Sequence, residues 1–172
     1  MSESAPMTFV GDDVVITVRR AVASDLDALI ALDPRPEIGL PARRLAEQEA
    51  GTGIFAVAEA NGEVVGSGFL DFNDEELNPE LKNLWVPPAH RRHGVGSAVW
   101  RWLEERAAEA GHQQVFLAVD PQNFRAIPLF LELGYSPTGD HLIMETPDSY
   151  QVLEPNQPSS YHAIYRKSLL AG

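Results

Sequence analysis

The apolar positions of this chain change period several times, and each change marks an element. Val14-Val15-Ile16-Thr17-Val18 is β-branched and reads as a strand. Leu26, Leu29, Ile30 and Leu32 then recur at helical spacing, with Ser24 as the expected N-cap and Asp25 and Asp27 in the first turn. Asp33-Pro34-Arg35-Pro36 ends that helix. A second helix fits Pro41 to Ala50, with proline near its start. Gly51-Thr52-Gly53 breaks the chain. Two strands follow, Ile54 to Glu59 and Glu63 to Asp71, joined by Asn61-Gly62, a strong two-residue hairpin turn. An acidic loop, Asp74 to Pro79, leads into a strand over Leu81 to Val86. The middle of the chain is therefore expected to be an antiparallel meander.

The second half alternates strands with helices. Val95, Ala98, Val99, Trp102 and Leu103 predict a long helix that Gly111 stops. Val115 to Val119 is the compact apolar run of a buried strand. A strand–helix–strand unit places it parallel to the strand before it, through a right-handed crossover. A shorter helix over Arg125 to Leu133 ends at Gly134, and Pro128 makes its start irregular. Late strands are expected at Tyr135 to Glu145 and Tyr161 to Lys167, with a polar loop at Glu154 to Ser160. Residues 1–11 read as a loose leader and 12–172 as a single domain. Mixed strands with inserted helices give an α/β class, with a mixed, mostly antiparallel central sheet of roughly six to seven strands and about four helices.

Composition narrows the function. The chain has 172 residues, 44% of them hydrophobic, which is enough for one real core. No apolar stretch approaches a membrane span, and Met1 to Pro6 lacks the basic-then-apolar pattern of a signal peptide. A cytoplasmic protein is the simplest expectation, with no membrane partner. There is no cysteine, which excludes disulfides, thiolate metal sites and a cysteine nucleophile. His90 and His93 flank a glycine turn without metal spacing, so no metal is expected. The net charge of -12 argues against nucleic-acid binding, which relies on Lys and Arg to neutralise phosphates. Charge is also uneven. Arg91, Arg92, Arg101 and Arg106 predict a basic patch, whereas Asp71, Asp74, Glu75, Glu76 and Glu80 form an acidic stretch without a base that favours a cationic partner over an anionic one.

The richest segment runs from Leu84 to Ser97: a strand, a turn dense in backbone donors, then the start of a helix. Such a helix mouth gathers unpaired N–H groups and partial positive charge, and its natural guest is phosphate or pyrophosphate. Gly94 and Gly96 let backbone approach a ligand, and Arg91 and Arg92 can add charge-assisted bonds; the bland alternative for both arginines is a solvated turn. Gly94 and Gly96 are one residue apart with no lysine following, so this is not a P-loop. Val99 occupies the third glycine position of the dinucleotide fingerprint, so it is not that either.

Val86-Pro87-Pro88 followed by Arg91-Arg92-His93-Gly94-Val95-Gly96 resembles the acyl-CoA-binding motif of the GNAT superfamily of N-acetyltransferases. Asn123-Phe124-Arg125-Ala126-Ile127-Pro128-Leu129-Phe130, then Leu133-Gly134-Tyr135, matches that family's second motif in order and spacing. The resemblance covers residues 14–169 and is strongest over 80–135. It implies a GNAT-like fold with two splayed strands and acetyl-CoA as co-substrate. The expected reaction is acetyl transfer to a primary amine, of a small molecule or a peptide, by direct attack in a ternary complex. The alternative is a non-catalytic acyl-CoA sensor or interaction domain. Homodimers are common in that superfamily.

The resemblance also distributes roles. Backbone donors from Arg91, Arg92, His93, Gly94, Val95, Gly96 and Ser97 would hold the pyrophosphate. The strand edge at Leu84, Trp85 and Val86 would pair with the pantetheine arm, as an added strand does, while the Trp85 ring is better read as core. Asn123 caps the following helix or bonds that arm. Glu80 is the candidate general base, with an exposed loop carboxylate as its alternative, because an alkyl ammonium of pKa ~10 must lose a proton before it attacks. Asn83 would orient a water or the acceptor. Phe130 stands where many relatives carry a tyrosine that protonates the thiolate, so the source of that proton stays open. A thiol pKa of about 8.5 makes a dedicated acid helpful rather than obligatory.

Overall fold

The computed structural model describes residues 6–10, 14–143 and 161–170. Among these the strands are β1 (Met7–Val10), β2 (Val15–Arg20), β3 (Gly53–Ala60), β4 (Glu63–Asp71), β5 (Glu80–Trp85), β6 (Gln114–Val119), β7 (Ser136–Ile143) and β8 (Tyr161–Ser168). The α-helices are α1 (Leu26–Leu32), α2 (Leu40–Glu49), α3 (Val95–Glu109) and α4 (Ala126–Glu132). One sheet contains all eight strands in the order β1-β2-β3-β4-β5-β6-β8-β7. Every neighbouring pair is antiparallel except β5 with β6. The expected α/β class and mixed, mostly antiparallel sheet are therefore present, and α3 makes the expected crossover between parallel strands. No helix among the described residues is long and apolar enough to cross a membrane.

The sheet has one strand more than the upper expectation. Met7–Val10, inside the segment read as a leader, pairs antiparallel with β2. Met7 and Phe9 pack against the main core, which a four-residue run offers too little periodicity to reveal. Asn61-Gly62 turns the β3–β4 hairpin with φ of 53° and 78°, the conformation that this pair supplies cheaply. Ser24 is not the N-cap of α1. A short 3-10 turn over Ala23–Asp25 precedes that helix. Asp25 takes the capping work instead: its carboxylate accepts from the Val22 N–H at 2.7 Å and from Arg19 at 2.8 and 2.9 Å. Arg19 also binds Glu59 on β3. The expected loop at Glu154 to Ser160 and the end of the strand at Glu145 lie outside the described residues.

Two apolar layers cover the sheet. On one face α3 buries Val95, Ala98, Val99, Trp102, Leu103 and Ala107, joined by Phe130 and Leu133 from α4 and its end. On the other, Leu29 of α1 and Leu45 of α2 cover Phe55, Val57 and Phe69. Two glycines of β4 let α3 approach the sheet, and a Cβ at the first, Gly66, would lie 2.6 Å from Val95. A Cβ at Gly68 would lie 2.8 Å from Val99 and 3.0 Å from Trp100. The missing side chain lets α3 lie close over β4, which fixes where the mouth of α3 falls relative to β5. Gly68→Ala is expected to lower stability by about 1–3 kcal/mol through overpacking. Urea unfolding followed by circular dichroism measures it, and an unchanged midpoint would mean that α3 does not rest on that glycine.

Candidate active site

β5 and β6 touch at one place. Their only parallel register pair is Glu80 with Phe116, reinforced by Phe116 N–H donating to Pro79 C=O at 3.0 Å. Beyond it the strands diverge, as the resemblance implied. The cause lies in β5. Its register against β4 steps from Lys82–Phe69 to Trp85–Ser67, which is one residue too many on β5. Asn83 absorbs that residue with φ +59°, the geometry of a β-bulge, which bends the strand that carries it. Lys82 and Asn83 consequently both face α1 and α2: Lys82 Nζ binds Asp71 at 2.7 Å and Asn83 Oδ1 accepts from Arg44 Nε at 2.9 Å.

The helix mouth stands beside this gap. Gly94 is the N-cap of α3 with φ +83°, and no side chain caps that terminus. The first-turn N–H groups, from Val95 to Ser97, have no carbonyl within the helix to bond. Arg92 adds a second left-handed residue, φ +68°, whereas the Arg91 N–H, expected as a donor to pyrophosphate, is already used within the turn, donating to the Pro88 C=O at 3.4 Å. Val95 contributes only its backbone, since its side chain is buried. His93 is exposed. Gly96 serves packing at least as much as ligand approach: a Cβ there would meet Leu129 of α4 at 3.2 Å and Leu84 at 3.6 Å.

The other expected cofactor contacts divide. The Trp85 indole donates to the Leu32 C=O at 2.8 Å, and so is structural. Arg91 lies 5.3 Å from the Trp85 ring centroid and donates Nε–H to the Val86 C=O at 2.8 Å, which ties the turn back to β5. Burial, together with Arg125 facing it, lowers the Arg91 pKa. Arg125 was missed in the sequence because it lies two residues beyond Asn123 in the second motif and only the fold brings α4 to the mouth of α3. Asn123 caps α4, with Oδ1 accepting from Ala126 N–H at 3.1 Å. Phe130 is in the core rather than at the gap, stacked on Trp100 at 5.9 Å and edge-on to Tyr135. The Tyr135 hydroxyl donates to Glu104 at 2.6 Å, and Lys167 binds the same carboxylate. Arg106 belongs to the far end of α3, about 16 Å along the axis, over Trp102, so it adds nothing to the basic patch.

Glu80 is buried, not an exposed loop carboxylate. Burial pushes its carboxyl up to about 8, with Asp74 and Asp71 adding to the rise and Lys82 opposing it. Asp74 accepts its hydrogen bond. Burial would raise Asp74 too, but the Leu77 and Glu76 N–H groups and Glu80 together hold it below the ordinary carboxylate range. One proton is thus shared by two carboxyls with opposite tendencies. Asp71, Asp74 and Glu80 bring their oxygens within 4.8 Å of one another, a spacing that would suit a cation. Lys82 already occupies one of those carboxylates.

The defining pattern of the Acetyltransferase (GNAT) family matches residues 23–135. The chain belongs to that family. One relative, human N-acetyltransferase 8, is 33% identical over 89 residues, covering 49% of this chain and 39% of that protein. The matches span about a quarter to two fifths of the length of the curated relatives. An N-acetyltransferase from Staphylococcus aureus superposes with a TM-score of 0.71 at 18% identity, over 90% of this chain and 99% of that one. The PaiA N-acetyltransferase of Thermoplasma acidophilum, solved with coenzyme A, gives 0.66 at 15% identity, over 89% and 98%. The fold of this GNAT chain is that of these enzymes.

The Glu80 shift has a thermodynamic consequence. A folded pKa of about 8 lies above the ordinary value of 4.5. The folded state therefore binds more protons than the unfolded one across that window, and stability falls as pH rises through it. Glu80→Gln removes the loss, so its Tm relative to wild type is expected to climb between about pH 5 and about pH 9. Calorimetric scans with parallel pH dependence would place the Glu80 carboxyl in water.

Proposed function

We propose that this protein is an N-acetyltransferase that moves an acetyl group from acetyl-CoA to a primary amine. The observation that carries this reading is the divergence of β5 from β6 directly beside the uncapped mouth of α3. The diphosphate of acetyl-CoA would bond the amides from Arg92 to Ser97, with the Arg91 and Arg125 side chains supplying charge. Its pantetheine arm would lie along β5 in the gap. Gly96 sits where Leu84 and Leu129 close on α3, within 3.6 and 3.2 Å of the place a Cβ would take, and so packs β5 and α4 beside the gap.

The thioester then meets the face of the sheet that carries Glu80. A neutral amine attacks its carbonyl carbon, the C–S bond breaks as the N–C bond forms, and the proton then shed by the nitrogen leaves to solvent. At neutral pH Glu80 holds a proton in the ligand-free protein, shared with Asp74. An incoming ammonium favours its charged form: the Glu80 proton leaves to solvent, and the carboxylate then takes one proton from the ammonium to give the neutral amine. With Phe130 in the core, the thiolate takes its proton from water. The carboxyls of Asp71, Asp74 and Glu80 make a cationic acceptor the better fit. The absence of cysteine excludes an acyl-enzyme on a thiol and supports direct attack in a ternary complex, which draws its rate from proximity. A cytoplasmic setting is the natural one for an acetyl-CoA-dependent reaction.

Two measurements test this. Arg125→Glu puts a negative charge at the mouth of α3, and is expected to weaken acetyl-CoA binding in calorimetry by about tenfold or more with unchanged circular dichroism; equal affinity would remove the phosphate site. For wild type, kcat/KM is expected to rise with pH through an inflection near about 8, and Glu80→Gln to lose that inflection and about 10²–10⁴ in kcat. A profile identical to wild type would exclude Glu80 as the base. Binding of acetyl-CoA without thiol release across an amine panel would favour the sensor reading instead.

A further inference from the structure

We infer that Arg44 is a positioning residue that sets the shape of the cofactor channel by holding Asn83 in its left-handed bulge. The inference rests on the reading of the gap as an acetyl-CoA channel and extends it to a residue on α2 that carries no recognised motif.

Arg44 is 3% exposed, an unusual depth for a guanidinium. Its Nε donates to Asn83 Oδ1 at 2.9 Å. Nη1 donates to both oxygens of Glu47, one turn along α2, at 2.9 and 3.0 Å. Its guanidinium carbon stands 4.7 Å from the centroid of the Phe69 ring. Phe69 is the β4 residue opposite Lys82, where the register of β5 begins to slip. The side chain is thus clamped by Glu47 on its own helix and by Phe69 on the sheet, and it presents a fixed donor to the residue that carries the extra step of β5.

That residue needs the help. A non-glycine residue at φ +59° is disfavoured by its Cβ. Asparagine tolerates the conformation better than most, and a buried, charge-assisted hydrogen bond to its amide oxygen favours it further. The bulge is what takes β5 away from β6 after the Glu80–Phe116 pair. Arg44 therefore acts on the cofactor at one remove: it fixes Asn83, Asn83 fixes the bend, and the bend decides how far the edge at Leu84 and Trp85 stands from β6. The mouth of α3 takes its donors from a different part of the chain, and β5 reaches it only beyond the bulge, through Leu84 and the Arg91–Val86 bond. Losing Arg44 should accordingly harm recognition of the pantetheine arm and spare recognition of the phosphates.

The test compares two probes by calorimetry: acetyl-CoA, and its phosphoadenosine diphosphate fragment, which lacks the pantetheine arm. Arg44→Met is expected to weaken acetyl-CoA by about tenfold and to leave the fragment's affinity unchanged. Asn83→Val, which forces a β-branched side chain into the left-handed region, should show the same split without touching the arginine. Asn83→Gly in the Arg44→Met background should restore acetyl-CoA affinity, because glycine adopts the bulge unaided. A general loss of structure would weaken both probes and would not be rescued by glycine, and that result would overturn the inference. So would unchanged acetyl-CoA affinity in both single variants. If the wild-type protein binds neither probe, the channel reading itself fails, which is a different result from either.

Discussion

A single register pair between two parallel strands is the constraint from which the rest of the site follows. Parallel neighbours normally run together along their length, because each unpaired backbone group buried between them costs free energy. Here β5 and β6 separate after Glu80 and Phe116, and the separation is imposed from inside β5 by the extra residue at Asn83. Three things then coincide. A stretch of β5 edge is left for another partner. The mouth of α3 opens onto the same gap, because Gly68 lets that helix lie close to β4. Glu80 stays in the one part of the strand pair that remains closed, where water is excluded from it.

That exclusion explains the electrostatics. A protein with a net charge of -12 has little reason to bury another carboxyl, and Glu80 answers by holding its proton well above the ordinary range. Asp74 accepts that proton's hydrogen bond while two backbone N–H groups keep it ionised. The acidic loop therefore acts on Glu80 through a defined contact, beyond any general field. The same low-dielectric surroundings that raise the Glu80 pKa would make an arriving ammonium a strong partner for its charged form. The cations, Arg91 and Arg125, face each other at the other end of the gap, so the charge separation anticipated along the chain exists in space with a different membership.

Much of this was legible in the residues because it is local. The Asn61-Gly62 turn, the long apolar face of α3, the uncapped glycine turn before it and the stop at Gly134 are each decided within a few positions. Glu80 was identifiable as a candidate, but its burial was not, since the loop around it reads as solvated and acidic. Trp85 reads as core, yet its ring is half-buried and is held by the Leu32 carbonyl and the Arg91 guanidinium. Phe130 occupies a motif position shared with a catalytic group in many relatives, yet its ring lies against Trp100, because an aromatic side chain without a hydroxyl gains most by stacking. The strand Met7–Val10 escaped notice for want of length. Arg44 and Arg125 escaped because no periodicity marks a residue whose partner lies on another element.

The chain's order of elements, its mixed sheet and the uncapped glycine turn before α3 were determined by the sequence alone, since period, turn chemistry and capping act between near neighbours. Three features were decided only by the tertiary structure: where β5 bends, which carboxyl loses its water, and which arginines meet at the helix mouth. Their physical reason is common to all three. Each depends on the distance between side chains from elements far apart in the chain, and only packing sets that distance.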